Sequence, residues 1–72
     1  MNNTEIIFMV EDDIEGGYNA TALGQNIFTQ ADSIDELKVM IKDAIICHFE
    51  NENERPKAIR LHYVKDEVYS IA

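Results

Sequence analysis

No lysine or arginine occurs before Lys38 in this 72-residue chain. Residues 1–33 hold six acids (Glu5, Glu11, Asp12, Asp13, Glu15 and Asp32) and no base, while residues 34–72 hold eight acids and six bases, for a formal net charge of −8. A surface of that sign repels nucleic acid and anionic membrane, and it favours a basic protein as partner. The same acidity keeps a small protein soluble, so charge alone does not separate the two readings. Cys47 is the only cysteine, which excludes an intrachain disulfide and fits a reducing compartment, so a cytoplasmic location is expected. No basic segment leads into an apolar run of the signal-peptide kind, and no stretch approaches the roughly 18 apolar residues of a membrane-spanning helix. Also missing are a Gly-rich phosphate loop, a Gly-x-Ser-x-Gly elbow and a Cys-x-x-Cys pair.

Seventy-two residues make one domain, spanning 1–72. A chain this short has a poor surface-to-volume ratio, and a single core of this size rarely supplies more than about 3–5 kcal/mol. With no disulfide available, self-association is expected to supply the rest, as a homodimer or a higher oligomer.

The chain is organised around Ser33 to Phe49. The run Ser33-Ile34-Asp35-Glu36 is a capping box: the Ser33 hydroxyl accepts from the Glu36 N–H, and the Glu36 carboxylate reaches back to the Ser33 N–H. No Gly or Pro occurs between Glu36 and Phe49, which predicts one unbroken helix. At roughly 100° per residue, Ile34, Leu37, Ile41, Ala44, Ile45 and His48 share a face suited to lie on a sheet. Val39 and Ile46 fall nearly opposite, among Asp35, Lys42, Asp43 and Glu50. A helix apolar on its back as well as its front points to a second contact, although scattered exposed aliphatics are common on any surface.

Before the helix, Glu5–Glu11 is apolar on both faces and predicts a central strand. Asp12–Gly17 is a turn in which Gly16 and Gly17 supply positive φ. Tyr18–Leu23 alternates and predicts a second, antiparallel strand; Ile27–Gln30 predicts a short third. Beyond the helix, a polar connector closed by Pro56 leads into the alternating strand Lys57–Val64. Lys65-Asp66 then offers a turn into a further strand over Glu67–Ile71. The order β-β-β-α-β is that of an α+β fold, with one helix on one face of an antiparallel or mixed sheet and room for an additional strand at the end. Ile7, Met9 and Leu23 give the other sheet face apolar character, and they are the candidate self-association residues, together with Tyr69 and Ile71.

The sequence offers little to a catalyst. Glu11, Asp13, Glu15 and Gly16 match the early positions of a calcium loop, but the last position, where a bidentate Glu is required, is Ala22. Cys47 and His48 are adjacent on a helix and diverge by about 100°, so they do not share a metal ion. His48 fits a partly buried imidazole near the helix C-terminus, favourable to the helix dipole when charged. Neither histidine forms a visible nucleophile–base–orienter set with Cys47. No metal site, cofactor or catalytic residue is expected.

The apolar first strand, the turn Asp12-Asp13-Ile14-Glu15-Gly16-Gly17-Tyr18 and the run Thr29-Gln30-Ala31-Asp32-Ser33-Ile34-Asp35-Glu36-Leu37 into the helix together resemble the HicB-like antitoxin family over roughly residues 5–64. The resemblance departs where the family often carries Pro-x-Leu-x-Gly and this chain has Ala22-Leu23-Gly24, and where Ala31 replaces a glycine. It implies a truncated ribonuclease-H-like β-β-β-α-β unit without catalytic carboxylates. It further implies a non-enzymatic module that binds and blocks a small basic HicA-like toxin, an mRNA-cleaving protein. No helix-turn-helix or ribbon-helix-helix follows within these residues, so direct nucleic-acid binding is not expected, nor is membrane binding. Asp12, Asp13 and Glu15 at the hairpin tip, with Val39 and Ile46 on the helix back, are the candidate partner-binding residues. The alternatives are a metal-dependent nuclease relic of the ribonuclease-H-like fold and a small-ligand-binding regulatory subunit.

Overall fold

Alternation along the first strand sets the architecture. In the computed structural model, which describes residues 5–72, β1 (Glu5–Asp12) buries Ile6, Phe8 and Val10 on one face and half-buries Ile7 and Met9 on the other. After it come β2 (Tyr18–Ala22), β3 (Phe28–Ala31), α1 (Ile34–His48), a short 3-10 turn (Glu52–Glu54) and β4 (Ala58–Val64). A strand apolar on both sides belongs inside a sheet. β1 accordingly lies between β2, antiparallel to it, and β4, parallel to it; β3 pairs antiparallel with β2, giving the order β3-β2-β1-β4. This is the α+β, β-β-β-α-β arrangement expected from the sequence.

The helix begins where the capping box places it. Ser33 Oγ accepts from the Glu36 N–H at 3.1 Å, whereas the Glu36 carboxylate accepts from the Asp32 N–H at 3.2 Å, one residue earlier than the simple box requires. Leu37, Ile41 and Ile45 are buried against the sheet, and Ile34 and Ala44 pack beside them. With Ile6, Phe8, Val10, Ala20, Ala22 and Ile27 they form the core. At the other helix end the Phe49 N–H donates to the Ile45 carbonyl at 2.9 Å. Arg55 then folds back, its Nε donating to the Phe49 carbonyl at 2.8 Å, which satisfies an oxygen the helix leaves open. The 3-10 turn is capped by Asn51, whose side chain accepts from the Asn53 N–H.

Two expectations are corrected. His48 is exposed rather than partly buried: its ring lies edge-on to Phe49 at 4.9 Å, and its Nε2 is 3.1 Å from Gln25 Oε1. A polar partner at the sheet rim draws the imidazole off the apolar stripe, and the half-buried Phe49 packs against the core at that end. Residues 65–72 form no strand. A two-residue hairpin needs positive φ in its turn, which Asn-Gly or a glycine supplies and Lys65-Asp66 does not. The segment instead leaves the domain, and the described chain is 55 Å long against 24 and 18 Å across.

Candidate interaction surfaces

Because side chains alternate across a strand, the pairing register fixes what the helix-free face of the sheet displays. Its central row is Phe28, Thr21, Met9 and His62, one residue from each strand. Beside it, Ile7 lies next to Arg60, and the Leu23 N–H donates to the Ile7 carbonyl at 2.9 Å. The row on the other side is Gln30, Asn19, Glu11 and Val64. Ile7 and Met9 are half-buried by their neighbours, but Leu23 and Phe28 remain 49% and 58% exposed. Ile7, Met9 and Leu23 therefore do share a face, as the sequence suggested. Phe28 belongs with them, although the sequence pattern did not single it out. The signal was present, since Ile27 and Phe28 are adjacent in one extended run and only one of them can face the core.

One end of this face is closed by an ion pair. Arg60 meets Glu5 in a two-pronged contact, Nε to Oε1 at 2.9 Å and Nη2 to Oε2 at 2.8 Å. The guanidinium hydrogen bonds hold the Glu5 carboxyl below the usual glutamate range, and the same contact raises the Arg60 pKa.

The other end is bordered by the acidic hairpin between β1 and β2. Its tip is built by Asp13: Oδ1 accepts from the Glu15 N–H at 2.9 Å, the carbonyl accepts from the Gly16 N–H at 3.0 Å, and the Asp13 N–H donates to the Gly17 carbonyl at 3.0 Å. Its Oδ2 accepts from Gln30 Nε2 at 3.1 Å, tying the tip to β3. Gly16 and Gly17 both have positive φ, at 104° and 80°. Of the three acids proposed for partner binding, Asp12 and Glu15 are exposed, while Asp13 is half-buried and its carboxylate is used by the turn. With Asp32 and Glu36 nearby, Asp13 and Glu15 line an open acidic hollow.

Val39 and Ile46 are 58% and 51% exposed, as expected for the helix back. They lie on a different side of the molecule from Ile7, Met9 and Phe28, so the structure does not gather all candidates into one patch. The helix lies over β2 and β3 and leaves β4 largely uncovered. Ile59, Leu61 and Tyr63 lie on the helix side of the sheet, yet Ile59 and Tyr63 are exposed. Between them and the helix runs a groove of about 320 Å³ lined by Lys38, Val39, Ile41, Lys42, Ile59 and Leu61. Tyr69 and Ile71 lie outside the domain, almost fully exposed.

Among the described residues, no three His, Cys, Asp or Glu side chains converge closely enough to hold a metal ion, and no helix is long and apolar enough to cross a membrane. The chain is 62% identical over 52 residues to a protein of Archaeoglobus fulgidus named "UPF0150 protein", covering 72% of this chain and 76% of that one. It is 42% identical over 62 residues to a protein of the same name from Thermotoga maritima, covering 86% of each. No family model and no solved structure matches it.

Proposed function

The chain belongs to the UPF0150 family, and on that footing we propose that it is a non-enzymatic, HicB-like protein-binding module that holds a small basic protein and associates with itself. One observation carries the reading: the acids of a base-free stretch border a sheet face that displays the half-buried Ile7 and Met9 and the exposed Leu23 and Phe28, and no helix or strand of the described residues is packed over it. Apolar contact surface supplies association free energy, and a rim of one charge sign supplies selection and steering. A HicA-like mRNA-cleaving toxin has the required chemistry, being small and basic. The pattern of strand, acidic Gly-Gly-Tyr turn and capped helix supports that assignment. A metal-dependent nuclease would need two carboxylates free to hold a metal, and both oxygens of the Asp13 carboxylate are already engaged, by the Glu15 N–H and by Gln30.

The test is co-purification with a small basic protein encoded beside it, at low and high ionic strength. Retention is expected to fall steeply as salt rises, and Asp12→Lys with Glu15→Lys should weaken binding by about tenfold or more at low salt, through like-charge repulsion. The chain alone should leave labelled RNA intact in magnesium or manganese, and the complex should cleave it more slowly than the free partner. Binding indifferent to salt, or cleavage by the chain itself that disappears in Asp12→Ala, would overturn the proposal.

A further inference from the structure

We propose that residues 65–71 of one copy add as an antiparallel strand to the open edge of β4 in a second copy, reciprocally, so that two chains share one continuous sheet. The inference rests on the self-association proposed above and names the device that produces it. Residues 67–72 make no hydrogen bond to the rest of the described chain, only a local pair between Ser70 and Ala72. Val68, Tyr69 and Ile71 are nevertheless apolar and strand-favouring, and 95%, 83% and 102% exposed. Return of the segment onto its own β4 is disfavoured, because its junction holds no glycine, and the positive-φ residues of the described chain are all glycines: Gly16, Gly17 and Gly24. Among the described residues, nothing pairs with the outer edge of β4. An edge strand with free N–H and C=O groups is a template for another strand.

Parity then decides what such an addition buries. If the segment continues the pleat of β4, Glu67, Tyr69 and Ile71 fall on the same side as Ile59, Leu61 and Tyr63. Antiparallel pairing about a two-fold axis keeps paired residues on one side of the sheet. Tyr69 and Ile71 of the second copy would thus close the groove beside Ile59 and Leu61. Charge agrees: the helix wall of that groove carries Lys38 and Lys42, and the entering segment brings Glu67 on the groove side. Asp66 falls on the opposite side, with Arg60 and His62.

Sedimentation equilibrium at tens of micromolar tests this on the full chain. Wild type is expected to be a dimer or a multiple of it. Tyr69→Pro removes a ladder N–H and a groove-filling ring, and should weaken the dimer by about 100-fold. It should leave the monomer folded, because Tyr69 is exposed and residues 67–72 make no hydrogen bond to the rest of the described chain. Lys38→Glu with Lys42→Glu should weaken the dimer by about tenfold, and adding Glu67→Lys should recover part of the loss. In wild type alternate amides of residues 66–71, those facing β4 of the other copy, should be protected from hydrogen exchange, and in Tyr69→Pro they should exchange freely. A wild-type monomer would overturn both this inference and the self-association behind it. An oligomer untouched by Tyr69→Pro but dissociated by Phe28→Asp would overturn strand exchange alone and assign the contact to the helix-free sheet face.

Discussion

Leu37→Ala is expected to leave much of the chain unfolded at 25 °C. Leu37 is fully buried, facing the sheet from the first turns of α1, and with Phe8, Val10 and Ile41 it forms the centre of the core. Truncating such a side chain costs about 2–5 kcal/mol, from lost transfer free energy and from the cavity left behind. A single core in a domain of this size supplies only about 3–5 kcal/mol in total. On the same helix, Asp43→Ala removes an exposed side chain and should shift stability by no more than about 0.5 kcal/mol. Urea titration followed by circular dichroism compares the two. Protein concentration must be fixed and then varied, because association of folded chains stabilises by mass action. A Leu37→Ala midpoint within error of wild type at low concentration would show that the helix–sheet core does not carry the stability.

Gly17→Ala should be nearly as damaging, and for a reason with no hydrophobic component. Gly17 has φ of 80°, and an added Cβ would stand 2.6 Å from the Ala31 carbonyl oxygen and 3.1 Å from Asp32 Cα. Both obstacles are backbone, so neither can swing aside, and the hairpin would have to lift off the β3–α1 corner. Left-handed strain and the clash together cost about 2–4 kcal/mol. Gly16 provides the control: its φ is 104°, but nothing lies within 4 Å of an added Cβ. Gly16→Ala should therefore lose only the conformational part, about 1 kcal/mol. Thermal melts of the two variants should separate clearly. Equal losses would mean that the approach of the hairpin to Ala31 is not close in solution.

How far the sequence discloses this molecule depends on the range of the interaction involved. The capped helix, the positive-φ turn and the central placement of β1 were legible because each is written in neighbouring residues: Ser33 with Glu36, Gly16 with Gly17, Ile6 to Val10. Strand ends moved by a residue, Leu23 dropping out of β2 and Ala31 joining β3. The strand allowed for over 67–71 is suggested by its side chains but withheld by its junction, since Lys65-Asp66 brings no glycine to a two-residue turn. The groove was illegible for a geometric reason. A helix is about 10 Å wide, and strands lie about 4.8 Å apart, so one helix covers roughly two strands of four. Alternation in β4 shows which residues face the helix layer, but not that the helix sits over β2 and β3. Alternation puts Ile27 and Phe28 on opposite faces, and the register then shows that Phe28 shares its face with Met9.

The parallel pairing of β1 with β4 also has a consequence in time. It joins the first described residues to the last strand, with Glu5 beside Ala58 and Arg60 closing the ion pair, whereas β1, β2, β3 and α1 meet through short connections. Pairings distant in sequence are entropically late, so β4 is expected to dock onto a preformed β3-β2-β1-helix unit. Until β4 docks, one side of β1 is bare, with Ile6, Phe8 and Val10 behind it. An unpaired apolar edge at that stage invites pairing with another folding chain. The acids at both ends of β1, Glu5 at one and Glu11 and Asp12 at the other, carry like charge into any such encounter. Part of the base-free character of the first 33 residues would then protect a half-folded protein, before there is any partner to recognise.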